Sequence, residues 1–132
     1  MDFDWNQYLN IAHELIGLVS ASSTKEAKQR ASISRAYYAA FNCARFYLID
    51  NDGKIVPRNS AHTFVMEAFL YDKNPDRSDI GANLEQLMKE RQYADYDRIY
   101  HNLERQSKFV LNTAKQTVMM IQNLPRRNLK NI

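Results

Sequence analysis

Residues 33–48 read ISRAYYAAFNCARFYL, and the spacing of their apolar side chains decides the fold class. Apolar residues recur every three or four positions, at Ile33, Tyr37, Ala40, Phe41, Ala44 and Leu48. This is the period of one face of an α-helix, which completes a turn in 3.6 residues. Upstream, Ser23 and Glu26 have the spacing of a capping box, and downstream a turn signal at 51–53 ends the pattern. The segment therefore predicts a long helix from about Ser23 to Ile49 that buries one full face.

Four further helices are predicted around this one from the same periodicity. They run from about Trp5 to Val19, Ala61 to Tyr71, Ala82 to Gln92 and Arg98 to Leu124. Between them, Lys73–Gly81 (KNPDRSDIG) is expected to be the most mobile loop, and residues 93–97 an interruption. Only three Gly and three Pro are available for turns, so we expect an all-α, antiparallel helical bundle of about five helices.

Length and composition limit the classes of function. The 132 residues fit a single domain over 1–125, followed by a basic tail over 126–132. We expect a cytoplasmic protein without membrane association, because no signal-peptide pattern or apolar stretch of about 18 residues occurs. The net charge of +3 permits nucleic-acid binding without requiring it. No Gly-rich phosphate loop, nucleophile elbow or metal-ligand cluster is present, so a metabolic enzyme is disfavoured and we expect no cofactor and no metal.

Two motifs carry a resemblance to a known family. Residues 34–45, SRAYYAAFNCAR, resemble the long second helix of many prokaryotic HEPN proteins, and residues 91–96, RQYADY, are similar to an Arg-x-x-Ala-Asp-Tyr element of one HEPN branch. Their order and separation also fit, and the match covers nearly the whole chain. The resemblance implies a helical homodimer with a cleft between protomers. It further implies either metal-independent RNA cleavage or pairing with a small nucleotidyltransferase-like antitoxin, and some members of the family have no known activity.

The chain departs from the Arg-x4–6-His motif with which many members of the family cut RNA. Arg91 and His101 have nine residues between them, whereas Arg98 and His101 have two and would share one face of a helix. Metal-free cleavage needs a base for the 2′-hydroxyl and a fixed cation for the charge on the phosphorane. His and Arg suit these two roles. The candidate catalytic residues are therefore Arg98, His101 and Arg91, with a surface position for His101 as the alternative.

Other polar positions are candidates for the cleft. Arg35 lies on the otherwise apolar second predicted helix, and Asp95 could cap the last helix or pair with an arginine of that second helix. Tyr96 precedes a basic stripe on the last helix that includes Arg105 and Lys108, and this combination could bind a phosphate backbone and stack a base. The alternatives are structural roles for Arg35, Asp95 and Arg91 and a solvated face for the stripe. A metal role is disfavoured for His13 and His62, because no ligands accompany them at a suitable spacing.

Two functions follow from these features. The first is an RNA-directed protein of a toxin–antitoxin or defence system, acting as a metal-independent endoribonuclease toxin, with a nucleotidyltransferase partner. The alternative is a non-catalytic homodimer that binds a nucleotide, RNA or a protein partner.

Overall fold

A computed structural model describes Leu9, Ala12, Ile16 and residues 22–127, with side chains from residue 25 onward in the second part. That part contains four helices: α1 (Ser22–Asp50), α2 (Ala61–Leu70), α3 (Pro75–Tyr96) and α4 (Leu103–Gln122). It contains no strand. The all-α prediction is confirmed, and residues 22–127 form a bundle with four of the about five helices expected. The helix predicted over Trp5–Val19 lies outside the described residues, except that Leu9, Ala12 and Ile16 are helical.

Helix α1 supplies the centre of the core. All six apolar residues that define its predicted stripe are buried, with at most 6% of their surface exposed. Tyr47, three residues after Ala44, is also buried. The main partners of α1 in the core come from α2, α3 and α4: Val65, Phe69, Leu84, Leu87, Val110, Ala114 and Val118. Burying a large apolar side chain contributes about 1.5–3 kcal/mol, so these contacts stabilise the bundle around α1.

The helix directions differ from the antiparallel arrangement expected from the sequence. α3 does run antiparallel to α1, because Arg77 pairs with Asp52 while Arg30 reaches the carbonyl of Ala94. α4, however, runs parallel to α1. Lys25 contacts Glu104 at one end, and the Tyr47 hydroxyl donates to the Pro125 carbonyl at the other, 2.7 Å away. The loop 51–60 returns alongside α1, so that α2 starts near the middle of α1.

The prediction of a mobile loop over Lys73–Gly81 is wrong, because α3 begins at Pro75. The Asn74 side chain accepts hydrogen bonds from the backbone N–H groups of Asp76 and Arg77, at 2.9 and 3.2 Å. Pro75 occupies the first helical turn, where no N–H donor is needed. Gly81 lies within α3 against the backbone of Leu70, where a Cβ atom would clash. Residues 73–81 therefore contain the capped start of α3, which packs closely on α2.

The boundary between α3 and α4 also differs from the prediction. α3 continues through 93–96, and α4 begins at Leu103, not at Arg98. Asn102, with φ 57°, is the N-cap residue of α4, so Asp95 does not cap that helix. Arg98 and His101 consequently lie in the connecting loop 97–102 and do not share a helical face.

A polar cluster fixes the opposite end of the bundle. Arg77 donates to both carboxylate oxygens of Asp52, at 2.6 and 3.1 Å, and to the Tyr47 hydroxyl at 3.0 Å. Hydrogen bonding to Arg77 lowers the pKa of Asp52. Arg126 lies over the Tyr47 ring, and the backbone N–H of Arg127 donates to Asn51. The first two residues of the predicted basic tail are thus held on the bundle, and residues 128–132 lie outside the described part.

Candidate functional site

The two sequence motifs meet where α1 faces α3. Tyr37 and Tyr38 come from the first motif and Arg91 and Asp95 from the second. α3 turns this face toward α1 because its apolar residues Leu87 and Ala94 are buried there, one turn to either side of Arg91. His62, from the start of α2, completes the group. We call these five residues the Arg91 cluster.

Arg91 is a mostly enclosed cation with few hydrogen-bond partners. Its side chain is 12% exposed, and its guanidinium lies 5.4 Å from the centre of the Tyr37 ring and 5.6 Å from that of Tyr38. The nearest carboxylate oxygen, Oδ2 of Asp95, is 3.5 Å away and also accepts from the Ser34 hydroxyl. Within the described part of the chain, the buried Nε of Arg91 has no acceptor. A guanidinium in this state has donors available for an anion.

His62 is fixed by aromatic contacts and one hydrogen bond. Its ring stacks on Phe41 with centroids 4.3 Å apart, and its Nδ1 lies 2.5 Å from the Tyr37 hydroxyl. Burial, with a smaller contribution from the charge of Arg91, lowers the pKa of His62 below its ordinary value. Burial raises the pKa of Tyr37, so its phenol keeps the proton. We assign the phenol as the donor to Nδ1, which leaves the N–H of a neutral imidazole on Nε2.

This geometry favours an anion over a metal. Arg91 and the Nε2–H of His62 both offer donors, and Asp95, 3.5 Å from the Arg91 guanidinium, is the only carboxylate among the five residues of the cluster. A phosphate oxygen matches an arginine fork, whereas a divalent cation would be repelled by it. No group of three or more His, Cys, Asp or Glu side chains suited to a metal occurs in the part of the chain that the structure describes.

The other two candidate catalytic residues lie in the loop between α3 and α4. Both Arg98 and His101 are exposed. His101 lines an open cleft of about 280 Å³ together with Glu90, Tyr93, Asp97, Ile99, Tyr100 and Gln106. Tyr100 donates to Glu90, and burial together with this bond raises the pKa of Tyr100. Arg91 is not among the lining residues, so within one protomer this cleft and the Arg91 cluster are separate.

The structure distributes the predicted cleft residues over several surfaces. Asp95 joins the Arg91 cluster and pairs with Arg91, not with an arginine of α1. Arg35 is exposed on α1, and Tyr96 is exposed at the end of α3. Arg105 and Lys108 are exposed on α4, and the predicted basic stripe is shortened because Arg98 and His101 are not helical.

Sequence reasoning missed two positions. Arg30 donates at 2.8 Å to the carbonyls of Ala94 and Asp97, and so holds the end of α3 and the start of the loop. The sequence signal that could have identified Arg30 is its position two turns before Tyr37 on the same face of α1. For His62, the sequence disfavoured a metal role and indicated no other. Its contact with Tyr37 joins residues 25 positions apart and is not visible in any local pattern.

The chain, with its long apolar stripe, its helical bundle and its two adjoining motifs, has a match among known protein families. The model of the HEPN domain family matches residues 7–124 of the chain. No match was found among curated proteins or among solved structures. Among the described residues, no helix combines the length and apolar character needed to cross a bilayer. The family match spans most of the chain, including all four helices, and the protein therefore belongs to the HEPN domain family.

Proposed function

We propose that this HEPN protein acts on RNA, as one component of a toxin–antitoxin or defence pair. The observation that supports this most is the Arg91 cluster, in which an enclosed guanidinium, whose Nε has no acceptor among the described residues, lies beside a neutral histidine. Such a group selects a phosphate by charge and by hydrogen bonding. The cluster is built from the SRAYYAAF and RxxADY motifs, which also supports a place in the HEPN branch that carries both.

The reaction we propose is metal-independent cleavage of the RNA backbone. Arg91 would stabilise the charge that builds on the phosphorane, with Arg98 as a second cation. His101 is the proposed base for the 2′-hydroxyl, since Nδ1 of His62 is engaged by Tyr37. A two-fold homodimer could bring His101 of one copy to Arg91 of the other. The exposed apolar side chains Tyr93, Tyr96 and Ile99 near the loop provide a surface for such contacts.

The test is cleavage of a labelled single-stranded RNA in EDTA by wild type, Arg91→Gln, Arg98→Gln and His101→Gln. Removing the fixed cation or the base should each slow cleavage by about 100-fold or more, because either group contributes at least that factor. Lys89→Gln, which removes an exposed charge from α3, is the control and should cleave like wild type. Cleavage that persists unchanged in both Arg91→Gln and His101→Gln would refute this mechanism.

The alternative is a non-catalytic homodimer that binds RNA, a nucleotide or a protein partner. Its support is the separation of His101 from the Arg91 cluster within one protomer. It predicts RNA binding that depends on Arg91 with no cleavage in either EDTA or Mg²⁺. In both cases we propose a nucleotidyltransferase-like antitoxin as partner, which purification of the tagged protein from its native host would recover.

A further inference from the structure

A second under-partnered arginine lies on the same helix that carries Tyr37 and Tyr38. Arg45, on α1, is only partly exposed, and its Nε is buried without an acceptor among the described residues. Its guanidinium lies 5.5 Å from the centre of the Phe46 ring, and no carboxylate of the described part comes within 4.0 Å. A half-buried cation is ordinarily paired with an anion, because desolvation of an unpaired charge is unfavourable.

Helix geometry places Arg45 in line with the Arg91 cluster. Tyr38 and Arg45 are seven residues apart, so they lie on nearly the same face of α1, about 10 Å apart along the axis. The guanidinium of Arg91 already lies over Tyr38. Two arginines whose Nε atoms have no acceptor among the described residues are therefore associated with the side of α1 that carries Tyr38.

We propose that Arg45 binds a second phosphate of a single-stranded RNA whose first phosphate is held by Arg91. The inference rests on the proposed RNA-directed function and adds the path of the strand, which would follow α1 from Arg91 past Tyr38 to Arg45.

Three features favour a single strand as the ligand. Two guanidinium forks in line match the repeated phosphates of one backbone. Tyr38 lies on the same side of α1 as Arg45, and an aromatic side chain within a basic groove is the arrangement on which unpaired bases stack. Asn42, one turn after Tyr38 on α1, donates its side-chain amide to the Tyr38 carbonyl at 2.9 Å and brings no negative charge to the path.

The test measures binding of a fluorescent ten-nucleotide single-stranded RNA by anisotropy over a range of salt concentrations. Each lost phosphate contact lowers the slope of log affinity against log salt by about 0.7, which corresponds to about a five-fold weaker affinity at 0.1 M salt. We expect this loss for Arg45→Gln and about twice the change in slope for the double variant with Arg91→Gln. Arg45→Lys keeps the charge and should restore most of the slope, which a purely structural role of Arg45 would not predict.

Lys73→Gln is the control, because it removes an exposed charge from the loop before α3 and should leave the slope unchanged. Thermal denaturation checks that each variant is folded. If Arg91→Gln weakens binding while Arg45→Gln matches wild type, the Arg45 site is overturned and the proposed function stands. If neither variant changes RNA binding, or if the RNA does not bind at all, both proposals fail.

Discussion

His62 is the residue whose protonation connects the Arg91 cluster to stability. Burial and the charge of Arg91 favour its neutral form, so its pKa is lower in the folded chain than in the unfolded chain. The unfolded state then binds more protons over the interval from the ordinary histidine pKa, near 6.5, down to the lowered value. The contribution of His62 to stability is therefore complete above about pH 6.5 and is lost as the pH falls through that interval.

The corresponding prediction concerns acidification from pH 7 to pH 5. Wild type should lose stability to urea over this range, and His62→Gln, which cannot titrate, should lose less. His101→Gln removes an exposed histidine and should retain the wild-type pH dependence. Equal losses in wild type and His62→Gln would contradict the protonation state that we assign to the cluster.

At the scale of single elements, the N-terminus of α3 depends on one side chain. Asn74 accepts from two backbone N–H groups that no helical carbonyl can satisfy. Asn74→Ala should therefore lower the free energy of unfolding by about 1 kcal/mol, as measured by urea denaturation. Asn112→Ala, at an exposed position within α4, is the control and should be neutral or slightly stabilising because Ala favours helix. Similar values for the two variants would show that the cap contributes little.

Helix α3 shows which helix boundaries could be predicted from the sequence. Asn74 followed by Pro75 is a local signal for a helix start, and reading its polar neighbours as a loop overlooked that signal. The end of α3 had no such signal. Residues 93–96 remain helical because Arg30, on another helix, takes the carbonyls of Tyr93, Ala94 and Asp97.

The candidate site also has features that the sequence could predict and features that it could not. The apolar stripe of α1 was predictable from spacing alone, whereas Arg91 became a candidate through the motif that carries the family resemblance. The contact of Arg91 with the rings of Tyr37 and Tyr38 was not predictable from sequence. A tyrosine in a helical stripe cannot be distinguished from an ordinary core residue until the position of α3 is known. The pairing of His62 with Tyr37 likewise depends on the return of loop 51–60 alongside α1.

For the whole molecule, the close approach of α2 and α3 at Gly81 limits which side chains the bundle accepts. In an exposed helix, Gly→Ala raises stability by about 1 kcal/mol. At Gly81 the added methyl would clash with the Leu70 backbone, which cannot move without separating the helices. Gly81→Ala should therefore lower the free energy of unfolding by about 3 kcal/mol, measured by urea denaturation.

Gly53→Ala provides the matched control for Gly81→Ala. Gly53 has φ +67° and open space around it, so the substitution introduces backbone strain alone and should cost about 1 kcal/mol. A stabilised Gly81→Ala protein would show that the two helices are not in close contact.

The reach of Arg30 has a consequence for the order in which the molecule assembles. The carbonyls that it binds lie 63 to 68 residues later in the chain, so the loop that carries Arg98 and His101 takes its shape only after α1 and α3 have docked. During synthesis α1 leaves the ribosome long before this loop does. The loop is thus among the last parts to become ordered, and detachment of the first turns of α1 would deform it while the apolar centre of the bundle stayed intact.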